Sequence, residues 1–169
     1  MKMIKRMTLP LLLILLFAAG CSSNGESEVK NAETLDYGAV SELEQTSLGN
    51  NSGVINIVSK LAGGEIPHKI EISSDTLRIN YDLVKYNEDN EENAEYWYNT
   101  GNQERNAGLN SAILFSLVDN LNSVEVAFNG ETTEKYEFSR EALADTLDTT
   151  FDMLDEGTFK EYKRSFENE

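Results

Sequence analysis

His68 is the only histidine and Cys21 the only cysteine in a chain of 169 residues that carries 30 acidic side chains. Nucleophilic catalysis of the Ser-His-Asp kind needs His68 beside an activated serine, and no Gly-x-Ser-x-Gly turn is present. A zinc centre takes three or four ligands from His, Cys, Asp or Glu, and a lone histidine is a poor start for one. No phosphate-cradling Gly-x-x-x-x-Gly-Lys loop occurs. His68 is therefore read as a surface residue at the start of a strand. No catalytic residue, cofactor or metal is expected.

Carboxylates remain as the abundant reactive group, and their abundance makes any one pairing uninformative. Two groupings stand out by spacing. Glu141, Asp145, Asp148, Asp152 and Asp155 follow one another at intervals of four, three, four and three, which is one stripe of a helix. Such a stripe is usually a solvated face. A second structural reading is that Gly157 folds the last helix back, so that Lys160, Lys163 and Arg164 would pair with the stripe. A cation or partner site on the stripe is the competing reading, although the ligand loop of a calcium hand is missing.

The second grouping is "YNEDNEENAEYWYNTGNQ", from Tyr86 to Gln103. It carries Glu88, Asp89, Glu91, Glu92 and Glu95 without a basic residue, then Tyr96, Trp97 and Tyr98 in succession. Aromatic residues are enriched at binding hot spots. Glu88, Asp89, Glu91, Glu92, Tyr96 and Trp97 are the candidate partner-binding residues. The structural alternative is that Trp97 pins a long connection over a sheet.

The elements that position these residues follow from hydrophobic spacing. Asn51-Ser52 can cap a helix whose Val54, Ile55, Val58 and Leu61 share a face, with Gly63-Gly64 at its end. "HKIEIS" and "TLRINYDLV" alternate apolar and polar around Ser74-Asp75, a hairpin. A polar connection over 86–105 leads to a helix near Asn106–Leu121. "SVEVAFN" and "EKYEFS" form a second hairpin around Asn129-Gly130. Ser139 caps a third helix with Leu143, Leu147, Phe151 and Leu154 on its inner face. Gly157 stops it, and Thr158-x-x-Glu161 opens a last helix as a capping box. The expected fold class is α+β, in the order α-β-β-α-β-β-α-α. Two hairpins would join as an antiparallel sheet of about four strands, with helices packed on one face.

The N-terminus carries Lys2, Lys5 and Arg6, then an apolar run too short to span a membrane, then Ala18, Ala19 and Gly20 before Cys21. This pattern describes a secretory signal. The stretch Ala18-Ala19-Gly20-Cys21 resembles the lipobox of bacterial lipoproteins. That resemblance implies diacylglycerol attachment at the Cys21 sulfur and cleavage before it. Two acyl chains hold a protein stably at a membrane. The expected division is a signal peptide over 1–20, a lipidated cysteine with a flexible tether over 21–44, and a single domain over 45–169.

Removing residues 1–20 takes away three of the 14 basic residues and none of the 30 acidic ones, so the mature charge is −19. Such a charge disfavours nucleic acid and anionic headgroups and favours a cationic protein or peptide partner. With Cys21 acylated, no disulfide is available, and stability must come from an apolar core.

Three segments resemble a known family. They are "LGNNSGVINIVSKL" at 48–61, "SAILFSLVDNLNSVEVAF" at 111–128 and "YEFSREAL" at 136–143. Together they are similar to the domain-of-unknown-function family numbered 4825, over about residues 47–166. The resemblance implies a Gram-positive extracytoplasmic setting, in small lipoproteins and beside membrane-embedded sensor peptidases. It carries over no activity and no site residue. The expected function is a membrane-anchored, non-catalytic binding or regulatory module on the outer face of the cell membrane. The rivals are a cell-envelope hydrolase using paired carboxylates and a divalent-cation-binding surface protein.

Overall fold

The computed structural model describes residues 29–167. Cys21 and the expected signal segment lie outside the described residues. The elements are α1 (Tyr37–Ser41), β1 (Thr46–Ser47), α2 (Asn51–Lys60), β2 (His68–Ser73), β3 (Thr76–Asp82), α3 (Leu83–Asp89), α4 (Glu91–Tyr98), α5 (Thr100–Leu117), β4 (Val118–Asp119), β5 (Ser123–Asn129), β6 (Thr133–Ser139), α6 (Arg140–Leu147) and α7 (Glu156–Glu167).

The fold is α+β, and its main sheet has four strands in the order β2-β3-β5-β6. Both expected hairpins form, with Ser73 opposite Thr76 and Asn129 opposite Thr133. Their junction differs from the expectation. β3 and β5 pair in parallel, from Thr76 opposite Ser123 to Asp82 opposite Asn129, so the sheet is mixed. The cause is the connection. Three helices and β4 lie between β3 and β5, and such a crossover carries the chain back to start a parallel neighbour. Hairpin signals in a sequence are local and do not encode how two hairpins join.

Alternation puts Leu77, Ile79 and Tyr81 of β3 and Val124, Val126 and Phe128 of β5 into the core. The opposite face carries Lys69, Glu71, Arg78, Glu125, Lys135 and Glu137, with Arg78 and Glu125 joined by a bidentate ion pair at 2.6 and 2.9 Å. Under the apolar face lies α5. It is buried on nearly every side from Asn106 to Leu117, so it lacks the amphipathic stripe of a surface helix.

Several boundaries shift from expectation. Asn50 caps α2, its side chain accepting from the Gly53 N–H at 3.2 Å. Ile57 joins Val54, Val58 and Leu61 in the core, while Ile55 points outward. The expected connection over 86–105 is instead α3, α4 and the start of α5. The expected third helix ends at Asp148, which adopts a left-handed conformation (φ 48°), and an irregular stretch precedes α7. Gly157 lies in the first turn of α7 rather than between helices. The start of that helix is capped by Asp155, whose Oδ1 accepts from the Thr158 N–H at 2.8 Å.

The expected tether also differs over its described part. Ala32, Leu35 and Val40 are buried in the core. Tyr37 packs against Phe159 of α7, and Lys163 Nζ donates to the carbonyls of Glu33 and Leu35 at 2.9 Å each. Residues from Asn31 to Val40 thus belong to the domain.

Candidate functional site

The acidic-aromatic segment is two short helices set end to end. Asp82 caps α3 by accepting from the Lys85 N–H at 3.0 Å, and Asn99 caps α5 by accepting from Asn102 at 3.0 Å. Between them, Leu83, Tyr86, Ala94 and Trp97 turn inward and are buried. With Asn90 they recur at intervals of three and four, a helical signal present in the sequence and masked by its polarity. The charges stay outside: Glu88, Asp89, Glu91, Glu92 and Glu95 are all exposed. Glu91 and Glu92 sit in the first turn of α4, where negative charge complements the helix dipole.

Trp97 does not belong to this outer surface. It is fully buried, at 0% exposure, and stacks on Phe128 with ring centres 6.0 Å apart. Its ring presses on Gly63, whose φ is +76° and where an added Cβ would come 3.2 Å from Trp97 Cη2. Trp97 pins the segment to the core and cannot touch a partner in this arrangement. Tyr96 is half-buried, and its hydroxyl accepts from Asn106 Nδ2 at 3.0 Å. Tyr98 is the aromatic residue of the three that faces solvent, at 40% exposure, with its hydroxyl 3.4 Å from the Leu83 carbonyl.

Tyr98 leads to residues that spacing along the chain could not connect. A cleft of about 460 Å³ runs between Asn87 and Tyr98 on one side and Glu131, Thr132 and Glu134 of the β5–β6 turn on the other. The turn approaches the ring closely, since a Cβ on Gly130 would meet Tyr98 Cε1 at 2.7 Å. Glu131 and Glu134 are the carboxylates that line this cleft beside the Tyr98 ring. A tyrosine ring beside carboxylates suits a cationic group, through charge and through the ring face.

The other candidates are not assembled. Glu141 and Asp145 lie on α6, Asp148 ends it, Asp152 accepts from the Thr150 hydroxyl at 2.7 Å, and Asp155 caps α7. The helical stripe expected there is broken by the irregular stretch. Lys160 pairs with Glu156 at 2.6 Å within its own helix, and Lys163 binds main-chain carbonyls, so neither closes onto that stripe. His68 Nδ1 lies 2.7 Å from the Ile66 carbonyl, which requires a proton on that nitrogen, and the ring sits edge-on to Tyr81. Partial desolvation pushes the Glu65 carboxyl above its ordinary range although the residue keeps solvent contact; the charge that opposes the rise is that of Lys30. No group of three or more His, Cys, Asp or Glu side chains that could hold a metal occurs among the described residues. No helix among the described residues is long and apolar enough to cross a membrane.

No curated protein and no solved structure matches the chain. Residues 41–140 match the family described as a domain of unknown function (DUF4825). The matched span runs from the end of α1 to the start of α6 and contains the whole sheet, the acidic ridge and the cleft. On that match, the chain belongs to the DUF4825 family.

Proposed function

We propose that the chain is a lipid-anchored, extracytoplasmic binding module without catalysis, and that it takes a cationic protein or peptide surface on the ridge of α3 and α4 and in the adjoining cleft. The observation that carries this reading is the exposure of five carboxylates on helices anchored by a buried Trp97, beside the exposed ring of Tyr98. A rigid ridge keeps its charges in place without ordering a loop on binding. The mature charge of −19 speeds encounter with a basic surface. The lone thiol behind small residues supports anchoring at Cys21.

Crosslinking on intact cells with mass spectrometry identifies the partner, and association kinetics with that partner test the site. Changing Glu88, Asp89, Glu91 and Glu92 to Gln or Asn slows association and flattens its salt dependence. Tyr98→Ala mainly speeds dissociation. Unchanged rates in both variants, with folding intact, remove the ridge from the account. Acyl labelling that persists in Cys21→Ser removes the anchor.

A further inference from the structure

We infer that two copies of this protein join through the open edge of β2, pairing antiparallel about a two-fold axis at Ile70 to make one continuous sheet. Among the described residues, β2 is the terminal strand of the sheet. The Asp82 N–H donates to the Pro67 carbonyl at 2.7 Å, which makes Pro67 and Asp82 a hydrogen-bonded pair. Bonded and non-bonded pairs alternate along an antiparallel ladder. Lys69, Glu71 and Ser73 therefore bond to β3, and the N–H and C=O groups of His68, Ile70 and Ile72 point to the open edge.

Those three residues restrict how the edge can meet itself. A two-fold axis at Ile70 sets Ile70 opposite its own copy and His68 opposite Ile72 twice. That register uses all three outward residues and forms about six backbone hydrogen bonds, two for each bonded pair. It also places Lys69 of each copy opposite Glu71 of the other, in the non-bonded positions where side chains are closest. Lys69 and Glu71 already share the outer face of the strand, 2.8 Å apart. Moving the axis by one residue along the strand keeps the ladder possible but sets Lys69 against Lys69, or Glu71 against Glu71. Like charges directly opposite are destabilising. The triplet Lys69-Ile70-Glu71 is thus complementary to itself in one register.

The surroundings permit the approach of two strongly acidic chains. α2 flanks this edge and contains no acidic residue among its ten, in a protein of 30 carboxylates. Between α2 and β2 lies a groove of about 410 Å³ whose lining, including Ile55, Ile70 and Ile72, carries no charge. Ile55 is 51% exposed there. His68, Ile70 and Ile72 of a second copy project on the same side of the joined sheet as this groove, so pairing the edge also covers the apolar surface.

The test is sedimentation of the mature chain, residues 21–169 with Cys21→Ser, over a range of concentration at about 0.15 M salt. A monomer–dimer equilibrium is expected. Glu71→Lys weakens dimerisation by about tenfold, because both ion pairs become repulsions. Lys69→Glu does the same, and the double exchange K69E/E71K restores the parental affinity. In the lipidated protein in its membrane, Ile70→Cys gives a disulfide-linked dimer on mild oxidation, since directly opposed positions of a ladder lie within disulfide reach. A chain that stays monomeric at every concentration, or a dimer indifferent to Glu71→Lys, overturns the inference. So does an edge that takes an extended peptide from another protein while the chain itself remains monomeric.

Discussion

Asn106 Oδ1 accepts a hydrogen bond from the Ala32 N–H at 2.6 Å, joining the middle of α5 to a segment 74 residues earlier. One turn further on, Asn110 does the same for Ala62, accepting from its N–H at 3.1 Å and donating to its carbonyl at 2.8 Å. Both asparagines are buried. Two irregular segments that cannot satisfy their own backbone thus find partners on one helix face. The segments are also joined to each other, the Gly63 N–H donating to the Lys30 carbonyl at 2.7 Å.

The arrangement predicts that Asn106→Ala costs about 1–3 kcal/mol, because it leaves a buried N–H unpaired. Deleting everything before Glu42 should cost more, since Ala32, Leu35 and Val40 leave the core and each large apolar side chain contributes about 1.5–3 kcal/mol. Denaturant unfolding measures both. A truncated chain as stable as the full one would return this segment to the role of a tether.

Trp97 and Gly63 form the second pair to test. Trp97→Ala should lower folding stability by about 3–5 kcal/mol, as expected for emptying a large buried site. Gly63→Ala should be destabilising for two reasons at once: a positive φ costs about 1–3 kcal/mol, and the new methyl group presses on the indole. Thermal melts read both. A Trp97→Ala variant of parental stability that fails to bind the partner would put the indole at the interface after all.

Much of this fold was legible because its hairpins and helix faces are local patterns. Ser74-Asp75 and Asn129-Gly130 mark turns within a few residues of the strands they join, and Val54, Val58 and Leu61 announce their own helix. What escaped were relationships made by buried polar groups. Asn106 and Asn110 look like surface residues in a sequence, yet they hold Ala32 and Ala62. The polarity around Tyr86 and Trp97 hid the inward stripe of α3 and α4. The residues at 31–40 read as a tether because their few apolar side chains have no period of their own and find their packing only against helices distant in the sequence, α7 among them. The cleft was illegible for a different cause: Tyr98 and Glu131 meet through the sheet, not through the chain.

Arg140 shows how one side chain closes a helix that has no basic residue in its own last turn. Its Nη2 donates to the carbonyls of Phe115 at 2.7 Å and Val118 at 3.1 Å, and its Nε to that of Leu121 at 2.8 Å. The guanidinium lies 5.2 Å from the centre of the Phe115 ring and 5.8 Å from that of Phe151. Positive charge at a helix C-terminus is favourable, and the planar fork satisfies several acceptors together. Arg140→Met should cost about 2–3 kcal/mol through the orphaned carbonyls. Arg140→Lys should recover only part of that, because one ammonium cannot reproduce the fork. Equal stability of the lysine and arginine forms in denaturant melts would show that charge alone suffices.

Asp155 gives the chain a predictable response to acid. Hydrogen bonds from Thr158, its backbone N–H first, hold the Asp155 carboxyl below its ordinary range. A depressed folded-state pKa means that the folded protein binds the proton less readily than the unfolded chain. The stabilisation is therefore complete above the unfolded value of about 3.9 and is lost as pH falls through the lower folded value. The loss should appear first in α7, whose start depends on this cap. Hydrogen exchange of the Thr158 and Phe159 amides, followed as pH is lowered, measures it. Asp155→Asn keeps an acceptor at the cap but cannot titrate, so its α7 should lose the acid response while remaining formed at neutral pH. Asp155→Ala should fray α7 at every pH, and with it the contacts of Tyr37 with Phe159 and of Lys163 with Leu35. An Asp155→Asn variant that retains the full acid response would move its origin to another carboxylate.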